Sequence, residues 1–227
     1  CSARGDSLVS GIGLGNGNEQ LDSPQDVDAS RVNFVAVADY CNERIQVYSK
    51  ELLWQFSFYV RTTDAAKEKK FGYPRAVAMN AAGLCYLADG ENKRAIKLQS
   101  KSNSFSLLVA GGSSAAALWD PVSLVVDETD EVAVLNSDGL VTRIGALGDI
   151  KRNYRPSPKT VKLSKIGDDL IYIFKEGSDI IRADFSTLAP QSIIHIFGRE
   201  GDIRDVTSSG SHLYILTQKH IYQCTIA

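Results

Sequence analysis

The sequence predicts an all-β fold, a β-propeller of five four-stranded blades. Two observations carry this. A phrase is written twice, "VAVADYCNERIQVYSK" (35–50) and "CYLADGENKRAIKLQS" (85–100), and short Val-, Ile-, Tyr- and Phe-rich runs separated by turn residues fill the remainder, as strands do. No amphipathic helical pattern competes with them.

Aligning the chain on proline gives the order of the elements. Pro24, Pro74 and Pro121 are each followed three residues later by Val27, Val77 and Leu124, and fifteen residues later by Asp39, Asp89 and Asn136. Asn42 and Asn92 come next, then Arg44 and Arg94. A fixed internal phase marks a repeated structural unit. The first unit places strands at 25–29, 34–39, 44–49 and 52–59, and the second at 75–80, 84–89, 94–99 and 105–110. The third reads "SLVVDE", "EVAVLNS" and "LVTRIG", with its outer strand unassigned. A fourth reads "TVKLSKI", "LIYIFK", "IIRADF" and "SIIHIF". The last reads "IRDVTS", "HLYILTQ" and "HIYQCTI", one strand short.

Unit starts near 24, 74, 121, 160 and 202 give a period of roughly 40–50 residues, that of propeller blades. "DSLVSGIG" (6–13) has no partner beside the first unit and is assigned as the N-terminal strand that closes the last blade. Such closure removes an edge of unpaired backbone groups. Residues 1–227 are accordingly read as a single domain.

At the proline-aligned residues the chain resembles the NHL repeat: "SPQDVDAS…VAVADYCNERIQVY" closely, "YPRAVAMN…CYLADGENKRAIKL" nearly as well, and "DPVSLVVDETDEVAVLNSDG" in part. The specific match spans about 24–140, and the last two blades share only the strand pattern. Lys175 and Thr217 stand where the repeat carries Asp, and NHL domains usually have more blades than this chain provides. The resemblance implies a binding module, often the C-terminal recognition domain of tripartite-motif ubiquitin ligases and related regulators, with protein or RNA as partner. Asp39, Asn42, Arg44 and their second-blade counterparts are expected to build the turn: the carboxylate accepts from turn amides and pairs with the arginine.

Composition narrows the function classes. Among 227 residues, 23% are charged and the formal net charge is −2, which gives no overall pull toward nucleic acid or membrane. No apolar run approaches the roughly 20 residues of a membrane span, so no membrane insertion is expected. "CSARGDSLVSG" lacks the basic and apolar regions of a signal peptide, and the expected location is cytoplasmic. Cys1, Cys41, Cys85 and Cys224 are scattered and read as free thiols, with a Cys1–Cys224 latch conceivable in an oxidising compartment.

Chemistry-bearing motifs are sparse. His195, His212 and His220 show no ligand spacing, and G-x-S-x-G is absent. "GIGLGNG" (11–17) lacks the strand, helix and distal acid of a dinucleotide loop. Arg4-Gly5-Asp6 matches the integrin tripeptide only by sequence. "YCNERI" (40–45) resembles propeller lyases locally. The expected protein is therefore not an enzyme and needs no cofactor or metal, with a metal-dependent lyase or hydrolase as the minor alternative.

Topology assigns the remaining charges to faces. Turns between second and third strands share a face with the blade-to-blade connections. That face collects Arg44, Arg61, Arg75, Lys93, Arg94, Arg143, Lys151, Arg152, Arg155 and Arg204, with long connections at 61–73 and 148–159, and is expected to be mixed to basic. The opposite face is expected to be acidic. Arg61, Tyr73, Arg75, Lys93, Trp119, Arg143 and Arg204 are the candidate contact residues. Aromatic residues among basic ones suit a protein interface, the preferred reading, or single-stranded RNA.

Overall fold

The computed structural model describes residues 13–30, 32–59, 72–99, 104–110, 118–157, 159–174, 179–196, 202–209 and 212–225. The predicted closing strand (6–13) lies outside them except for Gly13, as do Cys1, Arg61, Lys175 and the Arg4–Asp6 tripeptide. Two compact units divide the chain at Gly111/Gly112.

The first unit holds two antiparallel sheets: β1 (Pro24–Ala29), β2 (Phe34–Asp39), β3 (Arg44–Ser49) and β4 (Trp54–Phe58), then β5 (Pro74–Met79), β6 (Cys85–Asp89), β7 (Arg94–Gln99) and β8 (Ser104–Ala110). The second unit holds three: β9 (Pro121–Val126) to β12 (Ile150–Tyr154), through β10 (Val132–Asn136) and β11 (Val141–Ile144); then β13 (Thr160–Ile166), β14 (Asp169–Phe174), β15 (Asp179–Ala183) and β16 (Pro190–His195); then β17 (Ile203–Ser209), β18 (His212–Thr217) and β19 (Ile221–Thr225). Each sheet is an up-and-down meander in chain order. The fold class is the five-bladed β-propeller, and no described residue is helical. The last sheet has three strands among the described residues.

Register shows how strictly the unit repeats. The first strand pairs Pro24 with Asp39, Pro74 with Asp89, Pro121 with Asn136, Thr160 with Phe174 and Ile203 with Thr217. One residue later every first strand bulges, leaving Gln25, Arg75, Val122, Val161 and Arg204 outside the ladder. A bulge at a strand start increases local twist and re-aims its side chain. Arg75 and Arg204 are thus true counterparts. Phe174, not Lys175, occupies the Asp position of the fourth blade, because its first turn is one residue shorter than that of blade one.

The outer strand of the third blade lies inside what reads as a long connection. "IKRNY" forms β12, paired with β11 through a bulge. An outermost strand packs little of its surface, so its polar sequence carries no alternation to reveal it.

Neighbouring blades interlock through their first strands. In the first unit, Asp26 accepts from the Val77 amide (3.1 Å) and Asp28 from the Met79 amide (2.7 Å). In the second, the Ser123 hydroxyl accepts from the Leu163 amide (3.1 Å) and Lys165 Nζ donates to the Val126 carbonyl (2.9 Å). Polar side chains thereby satisfy strand edges that would otherwise bury bare amides. Apolar residues fill the space between blades: Ala36, Ile45, Val47 and Phe58 meet Val77, Leu87, Ile96 and Leu98. In the second unit, Ile171, Ile173 and Ile180 meet Val206, Leu213 and Ile215.

Candidate binding surface

The repeated phrase is a corner brace. Asp39 and Arg44 face each other across the β2–β3 turn, with Nε to Oδ2 at 2.6 Å and both side chains buried. Asp39 also accepts from Asn42 Nδ2 (2.9 Å) and the Asp22 amide (2.7 Å). The Arg44 guanidinium donates to the carbonyls of Asn16 (3.0 Å), Gly17 (2.9 Å) and Gln20 (2.7 Å), and to the Tyr59 hydroxyl (2.7 Å). It thereby fastens the glycine-rich segment 13–22 to blade one. Burial pulls the guanidinium pKa down, but the bonds to Asp39 and Tyr59 outweigh it and the net shift is upward.

Blade two repeats the brace. Asp89 accepts from Arg94 Nε (2.8 Å), Asn92 Nδ2 (3.0 Å) and the Gly72 amide (2.9 Å). Blade three replaces both charges together. Asn136 accepts from the amides of Trp119 (3.2 Å) and Asp120 (3.3 Å), and Leu140 takes the arginine's place. A buried carboxylate without a cation would be costly, so amide and leucine go as a pair. In blade five the Thr217 hydroxyl accepts from the His220 amide (3.2 Å) and does the same turn-building work.

This brace corrects the expected charge pattern. Arg44 and Arg94 are buried against their aspartates and add no surface charge. Arg143 lies toward the opposite end of its blade: it pairs with Glu131 and donates to the Ser186 carbonyl (2.8 Å), both near turns that join first to second or third to fourth strands. Lys151 follows it there, paired with Asp149 at 2.6 Å. Reading 148–159 as a loop puts Lys151 on the wrong face, because β12 starts within it at the opposite end of the blade. Arg155 does reach the expected side, bound to Asp138.

What remains on the corner side of the first unit is mixed rather than basic. Tyr73 is 38% exposed, and its ring lies 5.0 Å from that of Tyr40 at 30°. Its backbone is left-handed, with φ of 53°, directly before Pro74. A bulky residue rarely adopts that region, and the following proline disfavours helical backbone further. Lys93 occupies the left-handed position of the β6–β7 turn, with φ of 53°, and is exposed. Arg75 is half-buried and lies over Gly90, where an added Cβ would come within 2.9 Å of its Nε. Glu91 likewise packs over Gly72. In the second unit, Trp119 is 45% exposed and Arg204 is exposed on its bulge.

No protein-family model matches the sequence, and no curated protein matches it. Solved structures do. A chain of the nidogen/laminin complex superposes with a TM-score of 0.66 at 13% identity, over 89% of this chain and 76% of that one. Virginiamycin B lyase from Staphylococcus aureus gives 0.64 at 13%, over 90% and 67%. Hydrazine synthase of Kuenenia stuttgartiensis gives 0.62 at 12%, over 86% and 55%. The likeness is one of fold. It joins a chain from a protein complex with enzymes, and so assigns no activity.

The histidines hold separate positions. His195 on the outer strand β16 pairs with Asp179 on β15 at 3.1 Å, and His220 lies beside Tyr222. Among the described residues no three His, Cys, Asp or Glu side chains come together as a metal site. Cys41, Cys85 and Cys224 are free. No described helix is long and apolar enough to cross a membrane.

Proposed function

We propose that this chain is a non-enzymatic, NHL-like binding propeller that recognises a protein partner through the corner surface of its first unit, around Tyr40, Tyr73, Arg75 and Lys93. Arg61, outside the described residues, is carried as a further contact candidate from the sequence, and Trp119 and Arg204 are exposed candidates of the second unit in their own right. The observation that carries it is Tyr73. The left-handed backbone ahead of proline recurs at Ser23 before Pro24 and belongs to the repeat; what sets Tyr73 apart is the large, partly exposed ring it presents from that position. The ring is exposed and packs at a tilt against Tyr40, so little conformational freedom remains to be lost on binding.

Protein is favoured over RNA because Arg44 and Arg94, counted toward a basic side in the sequence, are consumed in the brace. The nidogen/laminin complex offers a precedent of fold for protein recognition, and the lyases offer one for catalysis. In this proposal the chain is the cytoplasmic recognition module of a ubiquitin-ligase-type protein.

Comparative capture tests the reading. Wild-type protein and Tyr73→Asn are used as baits at low and high salt, alongside polarisation assays with short single-stranded RNAs. Asparagine tolerates the left-handed backbone, so the variant removes the ring and keeps the turn. A protein retained by wild type in high salt and lost by the variant supports the proposal. RNA binding that fades with salt transfers the assignment to RNA. Identical captures with both baits remove the corner surface from consideration.

A further inference from the structure

The glycine-rich segment that the fold uses as a fastened strap contains the chain's one Asn-Gly step, Asn16-Gly17. We propose that Asn16 is a site of spontaneous deamidation, activated by Arg44 and held in check by the side chain of Gln20.

The reaction is an attack of the Gly17 nitrogen on the Asn16 side-chain carbonyl carbon. The new N–C bond closes a succinimide, the side-chain amide leaves as ammonia, and the proton of the Gly17 N–H is lost to solvent. Water then opens the ring to aspartate or isoaspartate. Three features govern the rate: access to the asparagine, freedom of the following residue to turn, and ionisation of the attacking amide.

The first two are present in the sequence and the fold. Asn16 is exposed, and Gly17 has no side chain to obstruct the closing ring. The third comes from the brace. Arg44 Nη1 donates to the Asn16 carbonyl oxygen at 3.0 Å, and that oxygen belongs to the peptide group whose nitrogen must attack. A cationic donor on the oxygen stabilises the negative charge that the peptide takes up as Gly17 loses its proton.

One contact opposes the reaction. The Gly17 N–H donates to Gln20 Oε1 at 2.9 Å. Gln20 lies so close over this turn that an added Cβ on Gly15 or Gly17 would come within 3.0 Å of its side-chain oxygen. While that bond stands, the nitrogen keeps its proton. The other described asparagines followed by a small residue, Asn80 before Ala81 and Asn136 before Ser137, are buried.

The product would alter the strap itself. Isoaspartate lengthens the backbone by one carbon and adds a carboxylate beside the three carbonyls that Arg44 holds. The chemistry therefore places an ageing-dependent weak point at the first blade.

Timed incubation of the purified chain at neutral pH, with peptide mapping for the unit mass increase at Asn16, tests this. Gln20→Met keeps length and removes the acceptor, whereas Gln20→Glu keeps an acceptor. Gln20→Met is expected to deamidate about threefold to tenfold faster than wild type, the factor one hydrogen bond represents. Gln20→Glu should stay near the wild-type rate, and aged Asn16-modified protein should melt at a lower temperature. Equal rates in wild type and Gln20→Met, with both melting alike when fresh, overturn the latch. An unmodified Asn16 in both overturns the site.

Discussion

Asp39 and Arg44 meet at 2.6 Å in a position from which water is almost absent, the side chains being 0% and 1% exposed. The pair is a joint, not a reactive centre: every polar atom of the guanidinium is committed to Asp39, Tyr59 or the 13–20 segment. Removing one member strands the other. Arg44→Leu is expected to lower stability by about 3–5 kcal/mol in denaturant melts. Blade three shows the compensated alternative, so adding Asp39→Asn to Arg44→Leu should recover part of the loss. A double variant no more stable than the single one would show that the strap contacts, and not the ion pair, dominate.

Asp28 makes a separate prediction about the junction between the first two blades. Its carboxylate accepts from the Met79 amide at 2.7 Å, at the edge of β5. Asp28→Ala leaves that amide without this acceptor and should cost about 1–3 kcal/mol. The loss should be local, seen as faster hydrogen exchange at Met79 with β9–β12 unchanged. Uniform loss of protection throughout the chain would contradict it.

Much of this architecture was legible because strands in sandwiched sheets are short, apolar and bounded by turn residues. The Pro-to-Asp spacing gave the register of three blades, since Pro24, Pro74 and Pro121 each pair with the residue fifteen positions on. The surface was less legible. Arg44 and Arg94 read as surface charge because burial of a cation depends on a partner and a covering segment. Arg143 finds Glu131 across a strand pair whose outer neighbour, β12, has no hydrophobic signature. Tyr73 reads as an aromatic beside charges, but nothing in "GYPRAV" announces the left-handed backbone that it shares with Ser23, because the following proline argues against it.

Asp138 predicts an acid-sensitive step in the second unit. Burial pushes its carboxyl upward, but the hydrogen bonds from Arg155 and the Leu140 amide outweigh that and hold it below the ordinary 3.8. The unfolded chain therefore takes up this proton first. The contribution is present above the ordinary value and is lost as pH falls through the depressed one. Asp138→Asn should flatten the stability profile in that window and leave it parallel to wild type at neutral pH. An unchanged acid limb would mean that other carboxylates set it.

Cysteine reactivity should divide by position. Cys85 is buried between the first two blades, and burial pushes its thiol up to about 12, so almost no thiolate exists at neutral pH. Cys41 sits exposed on the corner turn of blade one, and Cys224 is exposed on β19. Brief treatment with an alkylating reagent, read by peptide mapping, should modify Cys41 and Cys224 and spare Cys85. Cys85 should become reactive only as the first unit unfolds, so its labelling in denaturant should follow the loss of β5–β8. Rapid labelling of Cys85 in the native protein would mean that the two blades separate readily, and the Asp26 and Asp28 bridges would then hold less than their geometry implies.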